Sequence, residues 1–446
     1  MKLNVDLIIE ARWLCPIIPN NTLFEYQAVV IQSGKIIDIC AITQASEQYE
    51  AKEVVQLDEH ILIPGLINLH THAAMSLMRG LADDLSLMPW LEKHIWPAER
   101  NVVSPSFVHD GTLLACAEML SGGITTFNDM YFYPESAAMA SITAGMRANL
   151  GLVVLEFPTQ YANDAEDYID KGTAAKDQLR DEPTISFSFA PHAPYTVSDA
   201  TFSQINTLSA QLDIGLHTHL HETQTEIIRS EQAYGMRPLT RLANLGLLTS
   251  SITLAHCVHL NQAEIKLLAE HGCSIAHCPS SNLKLASGIA PIAEYAKHGI
   301  NIGLGTDGAA SNNRLDMFTE MRLAALLAKG QSGDASSITA HQALEMATIN
   351  GAKALGMDDK IGSIEIGKQA DLTAVRMSDL TMQPCFDPIS HLVYVAGREQ
   401  VSHVWVSGDL KYHKPNGNEG VFSNIEPQQL RDILNKWQNK LSEFKT

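Results

Sequence analysis

The stretch Pro64-Gly65-Leu66-Ile67-Asn68-Leu69-His70-Thr71-His72 reads as one short buried strand that delivers two imidazoles to one side of a sheet. Side chains alternate across a strand, so His70 and His72 share a face and lie at its C-terminal end. From here to residue 308 the chain keeps one rhythm, short apolar runs separated by longer helical stretches. Strands are expected at 64–70, 123–129, 148–156, 184–190, 213–220, 251–256, 273–277 and 300–305. Helical stretches such as 106–121, 198–211 and 261–271 lie between them, and 223–245 has the composition for the crossover from the fifth strand to the sixth. Eight such alternations predict an α/β fold, a parallel (β/α)8 TIM-type barrel rather than an open sheet.

The flanks have another texture. Ala28-Val29-Val30-Ile31-Gln32-Ser33-Gly34-Lys35-Ile36-Ile37-Asp38-Ile39 is a hairpin signal, two β-branched runs around a Ser-Gly-Lys turn. Strand-like runs with glycine turns return at 367–375 and 401–409. Both termini are therefore expected to build one small composite, sandwich-like β domain from 1–60 and 365–416, around a barrel spanning 61–364. Residues 417–446 form a tail in which Leu430, Ile433, Leu434, Trp437, Leu441 and Phe444 fall on one helical face, a stripe suited to core packing.

Composition narrows the function. With 446 residues, 45% of them hydrophobic and 18% charged, the chain matches an ordinary globular enzyme. A formal net charge of −19 argues against nucleic acid and anionic membrane partners, though not against a small uncharged nucleoside. The seven cysteines are scattered and include no Cys-x-x-Cys pair, which fits reduced thiols. Asp6 and Glu10 interrupt the apolar run that a signal peptide needs, so a cytoplasmic location is expected.

In such a barrel the active site lies at the C-terminal ends of the strands. His70 and His72 end the first strand, His219 in His217-Thr218-His219-Leu220-His221-Glu222 ends the fifth, and Asp307 in Gly305-Thr306-Asp307-Gly308 ends the eighth. Three imidazoles and a carboxylate with one open position make a hydrolytic zinc site, and Fe2+ suits the same donors. His217 shares the parity of His219 but sits deeper, as a hydrogen-bonded core histidine would; His277 is expected near the site with no assigned step.

These residues resemble the amidohydrolase superfamily, most closely its methylthioadenosine/S-adenosylhomocysteine deaminase branch. The first-strand signature carries the resemblance, together with Ala190-Pro191-His192-Ala193-Pro194, His219-Leu220-His221-Glu222-Thr223, Ala255-His256-Cys257, residues 305–313 and the closing segment 362–372. The resemblance implies that His70, His72, His219 and Asp307 hold one divalent metal. It implies that Glu222 protonates the ring nitrogen of the base, that His256 orients and deprotonates the attacking water, and that Asp307 passes a proton to departing ammonia. Several binuclear relatives need a carboxylated lysine, and neither Leu155-Glu156-Phe157-Pro158 nor Phe189-Ala190-Pro191-His192 offers one.

The same resemblance places Glu99 at the ribose hydroxyls, where a carboxylate suits a cis-diol, and His192 near sugar and base. Arg147, at the start of the third strand, has two readings, a contact to a substrate carboxylate or an ion pair. The methionine- and tryptophan-bearing segment 75–91 also has two, a lid with an apolar thioether pocket or plain loop packing. The implied activity is deamination of an adenine nucleoside by a homo-oligomer, dimer or tetramer. The alternatives are action on a guanine, triazine or pterin-like ring, and a non-catalytic barrel scaffold.

Overall fold

The computed structural model describes residues 2–415 and 419–445. The N-terminal part forms β1 (Leu3–Leu14), β2 (Phe24–Gln32), β3 (Lys35–Ala41) and β4 (Tyr49–Pro64). Next come β5 (Leu66–Thr71), β6 (Ile124–Tyr131), β7 (Arg147–Val154), β8 (Ile185–Pro191), β9 (Gly215–Leu220), β10 (Ile252–His256), β11 (Ser274–His277) and β12 (Asn301–Leu304). After them, β13 (Leu372–Arg376), β14 (Val401–Val406), β15 (Asp409–His413) and β16 (Val421–Phe422) rejoin the first four strands. The eight central strands form one parallel sheet in chain order, and their ends differ from the expected positions by two residues at most.

No ladder joins β5 to β12, and polar groups close the seam instead. Asp307 N–H donates to the His70 carbonyl at 2.9 Å, Thr306 N–H to Asn68 Oδ1 at 2.9 Å, and Asn68 Nδ2 to Thr306 Oγ1 at 2.8 Å. Gly305 is required there, because a Cβ would lie 2.8 Å from the His70 nitrogen and 2.9 Å from its oxygen. Helices outside the barrel start where short polar side chains take up free N–H groups: Ser104, Asp164, Ser198, Thr223 and Asp316 each cap one, and Asn261 closes a capping box with Glu264. The expected 223–245 crossover is split into Gln224–Tyr234 and Pro238–Asn244, since Gly235 stops the first helix and Pro238 opens the second.

The other sheet runs β16-β15-β14-β13-β4-β1-β2-β3 and buries Ile9, Leu14, Leu62, Leu372 and Trp405 in a core of its own. Ser33 and Gly34, at φ 52° and 78°, make the tight β2–β3 turn, and a Cβ on Gly34 would meet the Ser407 carbonyl at 2.7 Å. Strand β4 pairs along β1 and then, through Pro64, with β13, so the chain passes from sheet to barrel at Gly65, beyond the expected 60/61 division. The expected 416/417 division lies outside the described residues.

The tail folds as a helix over Pro427–Leu441 that buries Ile433, Trp437 and Leu441. Trp437 packs edge-on against Phe107 at 5.0 Å and donates Nε1–H to Asp110 at 2.8 Å. Leu434, expected in the stripe, is 43% exposed.

Arg147 corrects a sequence expectation. It stands at the N-terminal end of β7, the floor of the barrel, while the predicted site is at the other end. Its Nε donates to Asp371 Oδ2 at 3.0 Å and its Nη2 to Ser407 Oγ at 3.2 Å, so it takes the ion-pair reading and fastens the barrel to the second sheet. Both partners are buried, at 8% and 2% side-chain exposure. Arg147→Ala leaves the Asp371 carboxylate buried without its cation and is expected to destabilise the chain by about 3–5 kcal/mol. Urea denaturation checks this, and an unshifted midpoint would refute it.

Candidate metal centre and catalytic pocket

His70, His72 and His219, at the top of the barrel, are each tied by Nδ1 and leave Nε2 turned inward. His72 Nδ1 donates to the Met130 carbonyl at 2.6 Å, and His219 Nδ1 to the His192 carbonyl at 2.7 Å. His70 Nδ1 lies 3.0 Å from His217 Nε2, and His217 is fully enclosed, as its core reading expects. At His72 and His219, Nδ1 donates to a carbonyl and so holds the proton of a neutral imidazole, which leaves Nε2 with a bare lone pair.

Those lone pairs converge. His72 Nε2 and His219 Nε2 are 3.3 Å apart, and Asp307 Oδ1 is 3.3 Å from His72 Nε2 and 3.5 Å from His70 Nε2. His70 Nε2 is fully buried without a hydrogen-bond partner. Donors about 2.1 Å from a shared ion, at near-tetrahedral angles, stand about 3.4 Å apart. Crowding unprotonated nitrogens and a carboxylate at this spacing is repulsive unless a cation lies between them, so the residues fit a metal. Asp307 is further held by Ser281 Oγ at 2.6 Å and Ser311 Oγ at 2.8 Å, both donating to Oδ2. Burial opposes its charge, yet the imidazoles of His70, His72 and His256 hold its carboxyl well below the usual range.

Beside this grouping stand an acid and a base. Glu222 Oε2 is 3.7 Å from His256 Nε2, and Ser287 Oγ donates to Glu222 Oε1 at 3.1 Å. Burial raises the Glu222 pKa, which favours a carboxyl that holds its proton. Burial also works against a charge on His256, but the carboxylates of Glu222 and Asp307 outweigh it and raise its pKa. His256 Nδ1 donates to Asn282 Oδ1 at 2.8 Å. The backbone N–H groups of His221 and Glu222 both donate to Glu226, at 3.1 and 3.0 Å, and burial pushes that carboxyl up to about 8.

His72, His219, Glu222, His256 and Asp307 open onto a cavity of about 1050 Å3, counted with its mouth. Its walls include Met75, Leu87, Trp90, Leu91, Trp96, Tyr131, Phe132, Phe157 and Tyr195, and no lysine among the described residues. The segment after β5 thus supplies an apolar wall of this cavity. Glu99 comes from the short helix Trp96–Val102 and accepts the Tyr131 hydroxyl at 2.8 Å. Burial lifts its carboxyl to about 7, against the lowering effect of Tyr131. His192 lines the same cavity with Nδ1 bound to Thr196 Oγ1 at 3.1 Å, and burial with the neighbouring imidazoles pushes it down to about 3.

His277 ends β11, is buried, and does not line the cavity. Sequence reasoning missed Tyr131, Ser281, Asn282 and Ser287. Tyr131 ends β6, so strand-end position was a usable signal for it; the other three follow His277 in a stretch with no motif of its own.

Comparison with known proteins agrees with this geometry. The family model described as Amidohydrolase family matches residues 61–411. The chain belongs to the amidohydrolase family. A 5-methylthioadenosine/S-adenosylhomocysteine deaminase from Teredinibacter turnerae is 48% identical over 408 residues, covering 91% of this chain and 92% of that protein. One from Saccharophagus degradans is also 48% identical and covers 91% of each chain. An adenosine deaminase from Xanthomonas campestris, solved with bound zinc, superposes with a TM-score of 0.97 at 44% identity, covering 99% of this chain and 100% of that one. An atrazine chlorohydrolase from Arthrobacter aurescens shares the fold at 23% identity, with a TM-score of 0.86 over 98% of this chain and 100% of that one.

Elemental analysis of the purified protein is expected to find about one divalent ion per chain. His72→Ala removes a donor outright and should weaken retention against a chelator by more than the roughly tenfold that loss of a mere supporting group costs. Equal metal content in both proteins after chelation would exclude His72 as a donor.

Proposed function

We propose that this chain is a zinc-dependent aminohydrolase. Its substrates would be adenine nucleosides (5′-methylthioadenosine, S-adenosylhomocysteine, adenosine), converted to the inosine analogue and ammonia. The observation that carries the reading is the convergence of Glu222, His256 and Asp307 on one apolar-walled cavity beside the grouped imidazoles of His70, His72 and His219. The names of the relatives at 48% identity and of the zinc-bound adenosine deaminase support the same substrate class. A zinc ion on these donors lowers the pKa of bound water to roughly 7 and so supplies a nucleophile at neutral pH.

The chain's own residues do the rest. His256 Nε2 takes a proton from the attacking water while Asn282 holds Nδ1. Glu222, whose protonated form burial favours, donates to purine N1 and makes C6 electrophilic as the C6–O bond forms. Asp307 takes the proton of the new C6 hydroxyl and passes it to the exocyclic nitrogen; the C6–N bond breaks, the C6 carbonyl forms, and ammonia leaves the hypoxanthine ring. Glu99 accepts the ribose hydroxyls chiefly on Oε2, the oxygen that Tyr131 leaves free. His192 offers an unprotonated Nε2 to the sugar or the base. The free state of the seven cysteines supports action in a reducing cytoplasm, and a dimer or tetramer belongs to the same reading.

The decisive assay is ammonia release by metal-loaded protein from adenosine-type nucleosides, guanine and chlorotriazines. Release from the nucleosides alone is expected; release only from guanine or a triazine would overturn the reading. Glu222→Gln should lower kcat by about 10²–10⁴-fold. Glu99→Ala is expected to raise KM for adenosine-type nucleosides at least about tenfold and to leave the free base little changed. An equal effect on both would remove Glu99 from the ribose.

A further inference from the structure

One short segment touches each of the three proton-handling side chains. After β11 the chain turns through a short helix, Pro279–Lys284, and a tight return to Ser287. Within it, Ser281 Oγ donates to Asp307 Oδ2 at 2.6 Å, Asn282 Oδ1 accepts from His256 Nδ1 at 2.8 Å, and Ser287 Oγ donates to Glu222 Oε1 at 3.1 Å. The three targets belong to three different parts of the barrel, the ends of β12, β10 and β9. The segment itself is anchored: Ser280 N–H donates to the buried Glu320 at 3.1 Å, Ser287 N–H to the Asn282 carbonyl at 2.8 Å, and His259 Nε2 to the Ser287 carbonyl at 2.7 Å.

We infer that residues 281–287 are a positioning element that aligns acid, base and proton carrier together, with Asn282 its principal member. Asn282 is the one partner of His256 Nδ1, and as an uncharged acceptor it fixes the proton on Nδ1 and leaves Nε2 free to face Glu222. Ser287 engages Oε1 and leaves Oε2 on the His256 side. Ser281 shares Asp307 Oδ2 with Ser311, so its loss is partly covered. The expected order of effect is Asn282, then Ser287, then Ser281. The roles of the three targets rest on the deaminase reading; the hydrogen bonds to them do not.

The test measures kcat, KM, metal content and the 15N-histidine NMR signal of His256 Nδ1–H in wild type, Asn282→Ala and Asn282→Asp. Asn282→Ala is expected to lower kcat about 10–100-fold, with KM and metal content nearly unchanged, and to lose the Nδ1–H signal. Asn282→Asp restores the acceptor and should recover the signal and most of kcat. An unchanged kcat in Asn282→Ala, or an Asn282→Asp as impaired as the alanine variant, overturns the inference. Should wild type release ammonia from no nucleoside, the deaminase reading fails by itself and the NMR arm decides: loss of the signal in Asn282→Ala sustains the positioning contact, and its persistence refutes it. If Asn282→Ala does not fold, Ser287→Ala reads the same segment through an expected fall in kcat of about 3–10-fold, and no fall counts against it.

Discussion

Two unprotonated imidazole nitrogens held 3.3 Å apart, with a carboxylate oxygen at the same distance from one of them, constrain everything above them in the barrel. That spacing is unfavourable without a positive charge, and the chain enforces it by occupying each Nδ1 with a fixed acceptor. The acceptors are main-chain carbonyls of Met130 and His192, so relative placement of β5, β6, β8 and β9 sets the direction of the lone pairs. Barrel closure matters for the same reason. Asp307 reaches the imidazoles only because its backbone N–H is bound to His70 across the β5–β12 seam, where Gly305 lets the two chains approach.

The backbone at the top of the barrel is strained as well. His221, His256 and Asp307 have φ of 51°, 71° and 60°, left-handed values that side-chain-bearing residues rarely adopt. Each such residue costs on the order of 1–3 kcal/mol, and all three flank the site. The opposite end carries the fastening, with Arg147, Asp371 and Ser407 joining barrel and sheet. Fastening contacts at the floor and chemistry at the mouth follow the usual division of labour in this fold.

That division explains what could be read in advance. The eight strands, and the ligand candidates at their ends, are local features: a period of two, a run of apolar residues, a histidine at the last inward position. For Arg147 the same rule favours the ion-pair reading over the substrate contact, since a residue that opens a strand points to the floor. Leu434 failed because the tail helix meets the barrel through a narrower stripe than its hydrophobic pattern, the faces of Ile433, Trp437 and Leu441. Asn282 and Ser287 were beyond reach for a different reason. Their partners lie on other strands, and a hydrogen bond between residues so distant in sequence exists only once the barrel has closed.

Burial ties the chemistry to the architecture. An apolar wall contributed by the segment after β5 and by the loops after β6 and β7 keeps water from the carboxyls, so Glu222 and Glu99 retain protons more readily than free acids do. The same low-polarity surroundings push His192 and His219 down and leave both rings neutral. His256 departs from its neighbours because two carboxylates face it, and its pKa moves up instead. One cavity thereby holds an acid whose burial favours the protonated form, a neutral His219 and a base that tolerates positive charge. An open, well-hydrated cleft carrying the same side chains would let all of them titrate near their ordinary values, and the assignment of acid and base would be lost. The cover over the cavity is therefore part of the proton chemistry as much as part of substrate fit.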